Sequence, residues 1–247
     1  MPTTIFEGAF DGKSVLVSGG TSGIGLAIAK GFARAGAGVL VTGSTAERID
    51  SARAGELPKS LRIEQLDVRD KDAVERLIGG LAKLDVLVNC QGVARPDLEW
   101  QDDTFLDVMD INLSSVMRLS RAAFPLLKES RGSIVNFASM LSYLADASVP
   151  AYCASKTGIL GLTRALAHQW GSDGVRVNAV APGYHKTDMT KPLWSDPAAA
   201  ERIAQRSAVK RWGTTEDLVG PTLFLASDAA SFVTGVVLPV DGGYHSG

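Results

Sequence analysis

The sequence predicts an α/β fold, one domain built on a doubly wound parallel sheet. Three observations carry this. Short β-branched runs alternate with longer amphipathic ones along all 247 residues. The segments between the runs are long enough for helical crossovers, and strands so separated pair in parallel with right-handed connections. A glycine-rich stretch, Ser18-Gly-Gly-Thr-Ser-Gly-Ile-Gly25, joins the first run to the first helical pattern. No repeat, low-complexity stretch or linker interrupts the pattern, so residues 1–247 are expected to form a single domain.

Taken in order, Ser14–Ser18 reads as a strand and Ile24–Arg34 as a helix. Val39–Thr42, Leu61–Leu66, Asp85–Asn89 and Ser133–Phe137 supply the next four strands. Arg176–Val180 and Val236–Val240 complete the set. Helical periodicity fills Lys71–Leu81, Asp103–Leu127 and Glu216–Ala226. A further helix starts at Pro150, repeats apolar residues at Ile159, Leu160, Leu162, Leu166 and Trp170, and stops at Gly171. Residues 182–209 are weakly periodic, contain Pro192 and Pro197, and carry Trp194. Beyond the carboxyl end of a strand, where ligands bind in such sheets, this segment reads as a substrate lid.

Composition narrows the function classes. The chain is 45% hydrophobic and 21% charged with net charge −2, which gives no electrostatic case for nucleic acid or an anionic membrane. No apolar run approaches membrane-spanning length, and the start, from Met1 to Glu7, lacks a basic leader pattern. A cytoplasmic protein is expected. Cys90 and Cys153 form neither a disulfide framework nor a zinc spacing and are expected to be buried thiols. His168, His185 and His245 are too scattered for a metal site, so none is expected.

Two stretches carry chemistry. In the glycine-rich turn, Gly19, Gly23 and Gly25 allow close approach of backbone amides to a phosphate, and the following helix N-terminus favours a pyrophosphate. The spacing is G-x-x-x-G-x-G, not the common G-x-G-x-x-G. Tyr152 and Lys156 stand one helical turn apart, on one face. An ammonium beside a phenol favours phenolate and lowers its pKa, which suits proton exchange with a carbonyl oxygen.

In these motifs the chain resembles the short-chain dehydrogenase/reductase family over nearly its whole length. The resemblance implies a Rossmann-type doubly wound parallel sheet and a catalytic set of Asn112, Ser139, Tyr152 and Lys156. Ser139 precedes Tyr152 by thirteen positions. Tyr152 would exchange the proton, Ser139 would hydrogen-bond the same oxygen, and Lys156 would bind the nicotinamide ribose. Asn112 would hold a water that links Lys156 to solvent. Cofactor contacts are implied at Gly19, Thr21, Ser22, Gly23, Ile24, Gly25, Asp67, Val68, Asn89 and Gly92, then at Pro182, Gly183 and Thr187. Asp67 would contact the adenine ring. Cys90 and Gln91 depart from the usual Asn-Ala of that motif. Gln91 is read either as packed at the strand end or as reaching the active-site mouth.

Cofactor choice should lie after the second strand. No acid stands at Gly43, and Ser44 and Thr45, with Arg48 nearby, could bond a phosphate. The balance leans to NADP over NAD. The branch resembled acts on sugar acids, which implies a polyhydroxylated acid or polyol, a small-molecule carbonyl or alcohol substrate. Its candidate contacts are Gln91, Arg95, Leu141, Tyr184, His185 and Trp194, with Lys186 a further carboxylate partner. Reduction of unrelated ketones is the alternative. A nucleotide-sugar epimerase or dehydratase and a non-catalytic nicotinamide-binding sensor remain as other classes. The first usually has a longer C-terminal domain, and the second need not keep Ser139, Tyr152 and Lys156. Excess apolar positions on two helices predict a homotetramer. They are Val116, Met117, Leu119, Ala122 and Phe124 on one, and Leu160, Leu162, Leu166, Ala167 and Trp170 on the other.

Overall fold

A computed structural model describes residues 5–247; residues 1–4, the start of the leader reading, lie outside it. Seven strands form one parallel sheet: β1 (Ser14–Ser18), β2 (Gly38–Gly43), β3 (Leu61–Gln65), β4 (Val86–Asn89), β5 (Ser133–Phe137), β6 (Arg176–Pro182) and β7 (Val237–Val240). Their order is β3-β2-β1-β4-β5-β6-β7, which reverses direction between β1 and β4. Ligands bind at such a reversal, beyond the carboxyl ends of the strands.

Period-two alternation builds a core on each face of the sheet. Val15, Val17, Val39, Val41, Val86 and Val88 point to one side, against Ile28 and Phe32 of α1 (Gly23–Arg34) and Leu223 of α9 (Val219–Ala226). Leu16, Leu40, Leu87 and Ile134 point to the other, against α3 (Lys71–Gly79), α5 (Ser115–Ser130) and α6 (Pro150–Trp170). The register puts Leu16 beside both Leu40 and Leu87. A one-residue slip would turn both sets over, so the paired cores hold the strand ends in register. Each fully buried Leu, Ile or Phe contributes about 1.5–3 kcal/mol.

Strand boundaries agree with the sequence expectation to within two residues, and two helical expectations need correction. Asp103–Leu127 is not one helix. It is α4 (Asp102–Met109), a wide π turn over Asp110–Ser114, and then α5. Glu216–Ala226 begins with a tight 3-10 turn, Thr215–Leu218, before α9. The 182–209 segment contains two helices, α7 (Lys191–Trp194) and α8 (Pro197–Arg206), each with Pro near its start. A short helix, α2 (Ala46–Arg53), was not foreseen; its low apolar content leaves only Ile49 and Ala52 buried. Cys90 and Cys153 are partly rather than fully buried. Among the described residues no helix is long and apolar enough to cross a membrane.

Candidate active site and cofactor groove

The glycine turn between β1 and α1 is shaped as a cradle. Gly19 has φ +73°, and a Cβ there would lie 2.6 Å from the Gln91 backbone. A Cβ on Gly25 would meet the Gly19 carbonyl oxygen at 2.3 Å. Ser22 caps α1 in extended conformation without a side-chain hydrogen bond, and no acid sits in the first turn. The N–H groups and dipole of α1 are therefore available to an anion. The hydroxyls of Ser18 and Thr42 and the Asn89 amide oxygen are buried nearby without partners. These features fit a dinucleotide lying over Gly19, Thr21, Ser22, Gly23, Ile24 and Gly25. Thr187 closes on the turn from the other side, its Cγ2 3.6 Å from the position of a Gly23 Cβ.

The π turn explains Asn112. The extra residue in this wide turn re-aims a side chain, and such turns recur at functional sites. Asn112 is fully buried between two chain segments. Its Oδ1 accepts from Val93 N–H at 2.8 Å, and its Nδ2 donates to the Val93 carbonyl at 2.9 Å and to Ser155 Oγ at 3.2 Å. Behind it, Asn89 Nδ2 donates to Asn136 Oδ1 at 2.9 Å and to Ser120 Oγ at 3.2 Å. Asn136 in turn donates to Thr163 Oγ1 at 3.0 Å. Apart from the unpartnered Asn89 Oδ1, this buried network is bonded throughout and ties the ends of β4 and β5 to α5 and α6.

Ser139 follows β5 and begins a 3-10 turn, Met140–Ser142. Its Oγ accepts from Leu141 N–H at 3.1 Å, and Ser142 Oγ bonds back to Ser139 N–H at 3.3 Å. Ser142 Oγ also donates to the Lys156 carbonyl at 2.7 Å, which ties this turn to α6. Lys156 is buried, donates from Nζ to the Phe137 carbonyl at 2.8 Å, and has Nζ 5.6 Å from the Tyr152 ring centre. Burial pulls its pKa down to about 8.

Tyr152 departs from the expectation of a lowered pKa. Burial raises it, a hydrogen bond with Ser139 lowers it, and Cys153, Cys90 and Glu99 add further upward pushes. The reason is geometric. The Lys156 ammonium is bonded to a backbone carbonyl, so desolvation of the phenol outweighs it.

Several substrate candidates are corrected. Gln91 is buried and donates to Ser115 Oγ at 2.9 Å, so it faces α5 rather than the mouth. The Arg95 guanidinium is bound by Asp107, which also takes Arg69. His185 is buried, with Nδ1 on the Gly183 carbonyl at 3.1 Å and its ring against Gly213. Trp194 donates to the Thr187 carbonyl at 2.9 Å and so ties α7 back to the segment after β6. Leu141 and Tyr184 are partly buried. Tyr184 packs against Trp212 and Tyr244, with ring centres 5.4 and 5.1 Å away, and Arg206 of α8 lies over Tyr244.

At the adenosine end, both Asp67 oxygens accept from Arg69, which holds the carboxylate below its usual range against the opposing pull of burial. Val68 is buried. Thr45 Oγ1 accepts from Arg48 N–H and so serves as the N-cap of α2. Ser44 stands exposed beside it.

Sequence reasoning missed Glu99. This carboxylate is 1% exposed, and its oxygens accept from Arg95 N–H and Tyr152 N–H, each at 2.8 Å. A single acid in an irregular stretch carries no periodic signal that could have found it.

A family model described as Enoyl-(Acyl carrier protein) reductase matches residues 19–245. The gluconate 5-dehydrogenase of Gluconobacter oxydans is 38% identical over 95% of each chain. The 2-dehydro-3-deoxy-D-gluconate 5-dehydrogenase of Dickeya dadantii is 37% identical over 94% of this chain and 95% of that one. A crystal structure from Beutenbergia cavernae, named for an NAD(P)-dependent gluconate 5-dehydrogenase with NADP bound at low occupancy, superposes with TM-score 0.87. It is 41% identical and covers 98% of this chain and 99% of its own. With this similarity along the whole sheet and its cradle, the chain belongs to the short-chain dehydrogenase/reductase family and is an NAD(P)-dependent oxidoreductase acting on CH–OH groups.

Proposed function

We propose that the protein interconverts a secondary alcohol of a sugar acid and the corresponding ketone, with Tyr152 as the proton-exchanging group. The observation that carries this reading is the convergence of Asn112 from the π turn, Ser139 from the turn after β5, and Tyr152 and Lys156 from α6, three separate segments at the carboxyl ends of β4 and β5. The nicotinamide supplies hydride chemistry when bound. In reduction Tyr152 gives its proton to the carbonyl oxygen, and in oxidation it takes the alcohol proton. Ser139 hydrogen-bonds the same oxygen as charge develops on it. Lys156 offers its ammonium to the nicotinamide ribose and offsets phenolate charge. Asn112 holds the loop after Gly92 against α6.

The sugar-acid reading is supported by the names of the relatives and by the mouth of the cleft. Tyr184, Tyr244 and Trp212 supply flat apolar faces for a polyol backbone, and Arg206 supplies an exposed cation. Residues 182–209 act as a lid, braced by Trp194 on Thr187 and by Trp212 Nε1 on the Ala200 carbonyl at 2.9 Å. NADP is the preferred cofactor, supported by the exposed Ser44 hydroxyl and by the absence of an acid at Gly43. A panel of sugar acids, polyols and cyclic ketones with each cofactor tests the assignment. Turnover of cyclic ketones without turnover of any sugar acid would overturn the substrate class.

The working assembly is a homotetramer. Val116, Leu119, Leu166, Ala167 and Trp170, expected at subunit contacts, are buried in the chain's own core, whereas Leu106 of α4 and Met117 of α5 stand exposed, as do Phe232 and Val236 before β7. Two such faces on one chain, each meeting its own copy, close into a dihedral tetramer. Light scattering at micromolar concentration tests this, and a monomer mass would overturn it.

A further inference from the structure

The first turn of α6 lacks an ordinary cap. Its N-cap is Val149, which has no side-chain oxygen to offer, and Pro150 at the first helical position has no N–H. The first helical hydrogen bond is Cys153 N–H to the Val149 carbonyl. That leaves Tyr152 N–H without a partner inside the helix. Glu99 supplies one from 53 residues away.

The acid is held by more than this bond. Its other oxygen accepts from Arg95 N–H and closes the turn that follows β4. Asp97 N–H donates to the Ser148 carbonyl at 2.8 Å, with φ +64° at Asp97. Trp100 Nε1 donates to the Ala147 carbonyl at 3.0 Å. Residues 95–100 thus grip the start of α6 at three points, and only Glu99 touches the residue that carries the proton chemistry. Among the described residues Glu99 has no ion pair, though it is 1% exposed. A buried carboxylate compensated only by two N–H groups and a helix N-terminus is costly to keep. A neutral cap would serve a merely structural purpose at lower cost.

We propose that Glu99 is a positioning residue for Tyr152, one carboxylate that fixes the backbone of the proton-exchanging residue to the turn after β4. The proposal rests on the acid–base reading of Tyr152. Glu99 is one of five groups facing the phenol. The others are Ser139 after β5, Cys90 at the end of β4, and Cys153 and Lys156 on α6 itself. Other acids on the packed elements are engaged or turned away. Asp107 is bound by Arg69 and Arg95, Asp110 by Arg118 and Asp146 by Ser148, and Asp102 and Asp103 are exposed at the start of α4. Because a negative charge disfavours phenolate, removing it lowers the pH at which Tyr152 ionises.

The test titrates tyrosinate absorbance in the NADP complex. Wild type minus Tyr152→Phe isolates the Tyr152 signal, and Glu99→Gln minus the corresponding double variant gives it without the charge. The expected result is a midpoint lowered by about 0.3–1 pH unit in Glu99→Gln. In parallel, Glu99→Ala should lose at least about ten-fold in kcat for gluconate oxidation with little change in the Kd for NADP. An unchanged midpoint in Glu99→Gln overturns the proposal, as does wild-type kcat in Glu99→Ala. Should Glu99→Ala not fold, Glu99→Gln decides alone. The titration needs no substrate, so it also decides if gluconate is not the alcohol taken. Substantial activity in Tyr152→Phe would count against the acid–base reading instead.

Discussion

The two ends of the cofactor groove are held in opposite ways. At the catalytic end, Asn112, Ser139 and Lys156 are buried; Asn112 and Lys156 bond to distant segments at Val93 and Phe137, and Ser139 caps its own turn, which Ser142 ties to α6. At the adenosine end, Ser44, Thr45 and Arg48 are exposed, and the side chains bond at the surface, Arg69 to Asp67 and Asp107 and Thr45 to Arg48 N–H. Buried polar groups must be satisfied, so the first end tolerates few residue types and one geometry. Exposed groups meet water whichever residue is present, so the second end is free to vary. On the proposed assignment, chemistry sits where the fold over-determines position, and cofactor preference sits where it does not.

If that contrast is right, the catalytic end should break sharply. Tyr152→Phe keeps the ring and its packing but removes the transferable proton. A loss of about 10²–10⁴-fold in kcat is expected, with cofactor affinity nearly intact. More than about a tenth of wild-type activity would contradict the assigned role. Gly25→Ala probes the cradle between the two ends. Its Cβ would sit 2.3 Å from the Gly19 carbonyl oxygen, so the turn must open. The Kd for NADP is expected to rise at least about ten-fold, while kcat at saturating cofactor changes less. Fluorescence titration measures the first and steady-state kinetics the second.

The adenosine end should bend rather than break. Position 43 cannot take an acid unaided, because a Cβ there would lie 2.5 Å from Thr21 Cγ2. Position 44 can. Ser44→Asp offers acceptors to ribose hydroxyls and repels a 2′-phosphate, and a shift of about ten-fold towards NAD in the ratio of kcat/KM is expected. An unchanged ratio would move the discriminating residues elsewhere.

The same contrast explains what the sequence discloses. Strands show because buried β-branched runs such as Val15–Val17 and Val86–Val88 leave no room for polar residues. Tyr152 and Lys156 show because helical spacing puts them on one face. The break at Asn112 does not show, because a π turn keeps the apolar stripe of the flanking helices while adding one residue. Gln91, Arg95 and His185 mislead for one reason: a polar side chain near a site bonds to whatever is nearest. Here those partners are Ser115, Asp107 and the Gly183 carbonyl. Glu99 is invisible because its partner is a backbone N–H that every residue but proline carries.

The smallest predicted effect is on stability, and it separates the two ends most directly. Lys156 is buried, and burial lowers its pKa from the ordinary 10.5 to about 8. Below pH 8 the folded chain carries this charge at full cost. Between about 8 and 10.5 the folded state sheds the proton while the unfolded state keeps it, so the cost is relieved as pH rises. Lys156→Met removes the charge but leaves the Phe137 carbonyl without its donor. The net gain in stability at pH 7 is expected to be about 1 kcal/mol, with activity lost. The gain should shrink towards pH 10. Urea midpoints of wild type and variant at both pH values measure it. A variant less stable than wild type at pH 7 would mean that the Phe137 bond outweighs the buried charge. Arg48→Met, at the exposed adenosine end, should change the midpoint by less than about 0.5 kcal/mol at either pH, as surface substitutions do.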